Sequence, residues 1–98
     1  MQVRFRTAQL RRCYEQHREG VRAWGVEVAR RYVSRINLLY VVETVTDLYK
    51  MKALRFHELK GDRQGEFALK LNLRMRLIVT FPAAGVVQVE EVSKHYGD

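Results

Sequence analysis

The chain has 98 residues, 47% hydrophobic and 30% charged, which fits one globular domain over 1–98 and excludes a disordered chain. Its longest apolar run, Leu38-Leu39-Tyr40-Val41-Val42, is too short to cross a bilayer, and no apolar stretch follows the N-terminal arginines, so the expected location is the cytoplasm. Eighteen Lys and Arg against eleven Asp and Glu give a net charge of +7, which points to a polyanion, nucleic acid before an anionic membrane surface or an acidic protein.

Met1 to Arg6 alternates, with Val3 and Phe5 on one side and Gln2, Arg4 and Arg6 on the other, and reads as a short half-buried strand. Thr7 then reads as the N-cap of a helix that turns Leu10, Tyr14 and Val21 inward, is weakened at Gly20 and ends at Gly25. Cys13 and His17, four apart on that helix, are too few for a metal site and read as a buried thiol beside a surface histidine. Val26 to Val42 is an amphipathic helix. Val26, Val28, Ala29, Tyr32, Val33, Ile36, Leu39 and Tyr40 share one half of its wheel, while Glu27, Arg30, Arg31, Ser34, Arg35 and Asn37 form a solvated face. Leu38 and Val41 fall on the polar side near its end, either as a small exposed patch or locally covered. Trp24, Tyr32, Tyr40 and Phe67 are assigned to the core.

Thr44 or Thr46 caps a short helical turn through Asp47-Leu48-Tyr49-Lys50, and Met51 to Leu59 reads as extended or irregular chain that delivers His57. The segment Arg55 to Glu66 places His57, Lys60 and Arg63 within seven residues, with Gly61 and Gly65 to turn the backbone. An imidazole beside fixed cations suits a phosphodiester, which needs charge neutralisation as well as proton transfer. The plainer alternative is a basic surface loop leading into a hairpin. After Gly65 the period changes to two. Phe67, Leu69, Leu71 and Leu73 face one way, and Glu66, Ala68, Lys70 and Asn72 the other, with a turn at Asn72-Leu73. Arg74 to Phe81 is the next strand, with Met75, Leu77, Val79 and Phe81 opposite Arg74, Arg76, Ile78 and Thr80. Arg76 either serves an open face or pairs with Glu90 or Glu91. Pro82 to Gly85 reads as a turn, Val86 to Val92 as the last strand and Ser93 to Asp98 as a polar tail. This order implies an α+β fold: an N-terminal strand and a helical hairpin packed on one face of a mainly antiparallel sheet, with the other face open.

With Leu59-Lys60-Gly61-Asp62-Arg63-Gln64-Gly65 followed by strand, Asn72, Arg76 and a histidine–tyrosine tail, the whole chain resembles type II toxins of the RelE/ParE superfamily, and among them the HigB-like group. The resemblance implies a RelE-like microbial ribonuclease fold and an endoribonuclease that cuts messenger RNA in the ribosomal A site, blocking translation. It implies contacts to messenger and ribosomal RNA and restraint by a cognate HigA-like antitoxin, through which alone operator DNA is met; no membrane is involved. The family's loop histidine falls on His57 and its basic residues on Lys60, Arg63 and Arg76. Its C-terminal Asp-Tyr-His falls on Lys94-His95-Tyr96, where a lysine replaces the carboxylate and histidine and tyrosine change places.

Such cleavage needs neither metal nor cofactor. The ribose 2′-hydroxyl attacks the phosphorus, one group takes its proton, cations hold the developing charge and another group protonates the departing 5′ oxygen. The catalytic candidates are therefore His57, Arg76, His95 and Tyr96, and the substrate-binding candidates Lys60, Arg63, Lys94 and Arg74. Two other functions suit the same scaffold: a ParE-like inhibitor of DNA gyrase, and a basic RNA-binding module weakened as a catalyst by the loss of the tail carboxylate.

Overall fold

Apolar alternation in the second half of the chain and a 3.6-residue period in the first meet across one interface. The structure, a computed structural model, describes residues 1–94. Its elements are β1 (Gln2–Phe5), α1 (Ala8–Glu15), α2 (His17–Trp24), α3 (Val26–Val41), α4 (Val45–Lys50), β2 (His57–Glu58), β3 (Phe67–Lys70), β4 (Met75–Ala83) and β5 (Val86–Lys94). The sheet order is β1-β5-β4-β3-β2. Only the β1–β5 pair is parallel, so the fold is the expected α+β arrangement with a mainly antiparallel sheet. Val3, Leu69, Leu77, Val79, Val87 and Val89 pack from the sheet against Val28, Tyr32, Ile36 and Leu39 of α3 and Leu10 and Cys13 of α1. Each such aliphatic side chain contributes about 1.5–3 kcal/mol when taken fully from water. No helix among the described residues is long and apolar enough to cross a membrane.

The helical hairpin differs from its sequence reading. Thr7 caps α1 by accepting the Leu10 N–H at 3.1 Å, as expected, but the chain breaks at Gln16 rather than weakening at Gly20. Gly20 is instead a contact point: a Cβ there would stand 3.1 Å from the Ala29 Cβ and 3.3 Å from the Cys13 carbonyl oxygen. Its bare backbone lets α2 lie close against α3. Gly25, at φ 86°, makes the corner between them, as its sequence position implies. Thr44, not Thr46, caps α4 in a reciprocal capping box with Asp47.

Several side chains also sit elsewhere than the pattern placed them. Tyr40 is 46% exposed rather than core, and Val26 is likewise exposed, because both lie at the margin of the apolar half. Leu38 is partly covered, whereas Val41 stands 77% exposed. Arg35 is partly buried rather than solvated, whereas Arg31 stays exposed as expected. Arg35 Nε donates to the Lys70 carbonyl at 2.9 Å and Arg31 Nη1 to that of Leu71 at 3.4 Å. They serve the edge of β3 where β2, only two residues long, no longer covers it. Burial first, and the like charge of Arg31 second, lower the proton affinity of the Arg35 guanidinium. At the other end, Pro82 and Ala83 remain in β4, and the turn is reduced to Ala84-Gly85. A register irregularity between Thr80 and Ala83 accommodates the proline, which has no N–H for the ladder. Ser93 and Lys94 extend β5 instead of opening a polar tail, and Arg74 lies in the turn before β4.

Candidate active site on the open sheet face

The segment from Met51 to Glu66 is built to carry His57 onto the sheet. Phe56 is buried, stacked on Phe67 at 5.3 Å and set edge-on to Tyr49 at 4.7 Å and Phe81 at 6.2 Å. Strand alternation then turns His57 to the side away from the helices. β2 pairs with β3, and the loop closes with Gly61 and Gly65 at φ 67° and 94°. The Glu58 carboxylate accepts the Gly65 N–H at 2.9 Å across the loop mouth.

Register defines the site. His57, Ala68, Ile78 and Glu91 form one row across β2, β3, β4 and β5, and Lys70, Arg76 and Ser93 form the next row on the same face. From strand geometry, two strand spacings and a two-residue offset put the Cα atoms of His57 and Arg76 about 12 Å apart. The two residues thus stand on one face of the sheet, with Ala68, itself fully buried, between their rows. His57 Nδ1 lies 2.7 Å from the Arg55 carbonyl oxygen. A carbonyl can only accept, so Nδ1 carries the hydrogen and the lone pair of the neutral ring is on Nε2.

Arg76 is buried at 6% exposure, and its Nη1 donates to the carbonyls of Asn72 at 2.6 Å and Met75 at 3.0 Å. Asn72 in turn holds the turn through Oδ1, which accepts the N–H groups of Arg74 and Met75. The alternative pairing of Arg76 with Glu90 or Glu91 is not what holds these two carboxylates. Glu90 is bonded by Thr80, Gln88 and Arg6, and Glu91 by Arg63.

Arg63 is brought to this face, but with its guanidinium engaged by two carboxylates. Its guanidinium reaches Glu66 at 2.7 Å and Glu91 at 3.2 Å, arching over β4 from the head of β3 to β5. Hydrogen bonding to Glu66 first, then to Glu91, raises its proton affinity against a smaller desolvation cost. Lys60 lies exposed at the entrance of the loop. Lys94 and Arg74 are not brought to the site. Lys94 pairs with Met75, one residue from the Arg76 row, so alternation turns it to the helix side. There it lines, with Arg74, Trp24, Val28, Leu73 and Met75, an open cleft of about 550 Å³. His95 and Tyr96 lie outside the described residues.

Sequence reasoning passed over Lys70. It is half-buried directly opposite Arg76 in a pair flanked by the hydrogen-bonded Leu71–Met75 step, where opposed side chains come closest. Two cations facing each other across a ladder destabilise it. The alternation that put Lys70 and Arg76 on one side was legible; their direct opposition required the register.

The face thus presents an imidazole and a lysine–arginine pair. Such a set can take a proton and hold a phosphate. The family model for HigB, a RelE-like toxin of a type II toxin–antitoxin system, matches residues 3–95. No curated protein matches the sequence significantly. Among solved structures, the YoeB/ParE toxin from Agrobacterium tumefaciens is similar with a TM-score of 0.57 at 17% identity, over 98% of this chain and 100% of its own. A point mutant of YafQ from E. coli gives 0.62 at 12% identity, over 95% and 91%. The YoeB–YefM complex from Staphylococcus aureus gives 0.55 at 17% identity, over 98% of each chain. At these identities the structures speak for the fold, a RelE-like toxin fold, and the family model speaks for the sequence: the chain belongs to the HigB-like, RelE-like toxins of type II toxin–antitoxin systems.

Proposed function

We propose that this toxin is a ribosome-dependent messenger RNA endoribonuclease acting in the cytoplasm, and that the face bearing His57, Lys70 and Arg76 is its active site. The observation that carries the reading is the register that sets these three side chains on one side of the sheet. His57 takes the 2′-hydroxyl proton through Nε2 as that oxygen attacks the phosphorus. Arg76 and Lys70 hold the phosphate oxygens as charge develops, and Lys60 holds the backbone at the loop entrance. The bond from phosphorus to the 5′ oxygen breaks, leaving a 2′,3′-cyclic phosphate and a 5′-hydroxyl. His95 and Tyr96 supply the proton for that departing oxygen. Arg63 holds the loop over the sheet rather than gripping RNA, because its guanidinium is already engaged by two carboxylates, which outweigh its charge. Arg74 and Lys94, on the helix side, contact ribosomal RNA or the antitoxin instead of the scissile phosphate.

The partner that restrains it is a cognate, DNA-binding antitoxin of the HigA kind, a reading supported by the similar fold found in a toxin–antitoxin complex. The test is a purified ribosomal translation reaction programmed with a defined message. New 5′ ends should appear only with ribosomes present, and His57→Ala should lower cleavage on the order of 10²-fold or more. Arrest of growth with intact transcripts and a DNA-damage response would replace this reading with gyrase inhibition.

A further inference from the structure

The residue that precedes the aromatic anchor has an unusual backbone. Arg55, at φ 47° and ψ 41°, is in the left-handed region, the one non-glycine residue to be so among the described residues. L-residues with a Cβ adopt this conformation at a cost, so the surrounding structure must impose it. Here it does so from both sides. Leu54 and Phe56, its two neighbours, are buried at 3% and 7% exposure, and the Arg55 N–H closes a tight turn onto the Lys52 carbonyl at 3.1 Å. With both flanking side chains fixed in the core, the peptide between them has little freedom. Its carbonyl is aimed at His57 Nδ1, 2.7 Å away.

We propose that left-handed Arg55, held by Leu54 and Phe56, is a positioning device that locks His57 as the Nδ1–H tautomer and keeps the basic nitrogen, Nε2, on the sheet face. The proposal rests on His57 being the proton-transfer group of the site. Neutral histidine in water favours hydrogen on Nε2, the wrong nitrogen for a base that must accept a proton there. A backbone acceptor two residues upstream reverses that preference without placing a second ionisable group beside the phosphate. Arg55 acts through its backbone geometry, not its guanidinium, and that distinction makes the idea testable.

Two variants separate geometry from charge. Arg55→Gly removes the side chain but accepts positive φ readily; Arg55→Val removes it and, being β-branched, resists positive φ. Long-range ¹H–¹⁵N correlation spectra at pH 8.5, where an ordinary imidazole is neutral, report which nitrogen bears hydrogen; the His57 signals are identified by their loss in His57→Gln. The wild type and Arg55→Gly should show the Nδ1–H pattern, and Arg55→Val should move to the Nε2–H pattern. In cleavage assays the kcat of Arg55→Val should fall about tenfold or more below that of Arg55→Gly, with KM within about twofold, as for loss of a proton-transfer group. An Nε2–H His57 in the wild type overturns the proposal, also where Arg55→Val does not fold. So does a tautomer unchanged in a folded Arg55→Val. If the wild type cuts no RNA, the functional reading fails while the spectra still decide the tautomer.

Discussion

Two buried acids show how a single side chain sets a pH limit on this molecule. The Tyr32 hydroxyl, within the core, donates to the Leu10 carbonyl at 2.7 Å, and its ring lies 4.7 Å from that of Trp24. Burial, and secondarily the charge of a Cys13 thiolate, push the Tyr32 phenol far above its ordinary range, and burial raises the Cys13 thiol as well. Both groups are held neutral in the fold and ionise readily once unfolded. Their contribution is therefore complete below their ordinary values, about pH 9 to 10, and is lost as pH rises through and above that range. Tyr32→Phe should remove one hydrogen bond, costing about 1 kcal/mol at neutral pH, or about 4–8 °C in Tm. Above about pH 10 it should lose stability less steeply than the wild type, since one of the two groups is gone. Thermal melts between neutral pH and pH 11 check this, and parallel alkaline slopes would assign the loss to other groups.

The close approach of α2 to α3 is set at a pair of small residues. Ordinary helix propensity makes Gly20→Ala favourable by about 1 kcal/mol. The new methyl, however, meets Ala29 Cβ at 3.1 Å and the Cys13 carbonyl at 3.3 Å, and a backbone oxygen inside a packed hairpin yields little. Overpacking of this kind costs about 1–3 kcal/mol, so the variant should be destabilised on balance. Ala29→Gly relieves the side-chain half of this contact, so the double variant should be more stable than the sum of the two single changes, by a coupling of about 1 kcal/mol in urea melts; a Gly20→Ala chain more stable than the wild type would refute the contact. The same glycine shows what sequence can and cannot yield. Its helix-weakening side is visible in one dimension, whereas the neighbour that requires it lies nine positions on, around a corner. α3 was legible because sixteen residues repeat one period. The break at Gln16 was not, since neither glycine nor proline marks it. In the site, the common side of Lys70 and Arg76 followed from alternation, but the fate of Arg63 depends on a bulge. Val79 pairs with Val89 while Ile78 pairs with Glu91, so β5 has an extra residue at Glu90. Were β5 to alternate regularly through Glu90, without the bulge, Glu91 would point into the core and Arg63 would lack its second carboxylate.

Over the whole molecule the net charge of +7 attracts RNA from every direction, and the distribution of that charge decides where the strand settles. The helix side has many cations, including exposed Arg12 and Arg18 on α1 and α2. The sheet side has fewer, but Lys70 lies there opposite Arg76 and Lys60 stands exposed at the loop entrance, while Arg63 bridges the carboxylates of Glu66 and Glu91. If single-stranded RNA binds on the sheet face, removing Lys60 and Lys70 together should lower the slope of log Kobs against log salt by about 1.4, close to 0.7 for each phosphate no longer neutralised. Removing Arg12 and Arg18 lowers the net charge by the same two units, yet should leave the slope nearly unchanged, because screening of a remote surface releases few bound counterions. Fluorescence anisotropy with a short labelled oligoribonucleotide across a range of potassium chloride concentrations measures both slopes. Equal decreases in the two variants would mean that the chain binds RNA through its overall charge, and that the row of His57 and the row of Arg76 do not form a strand-binding surface.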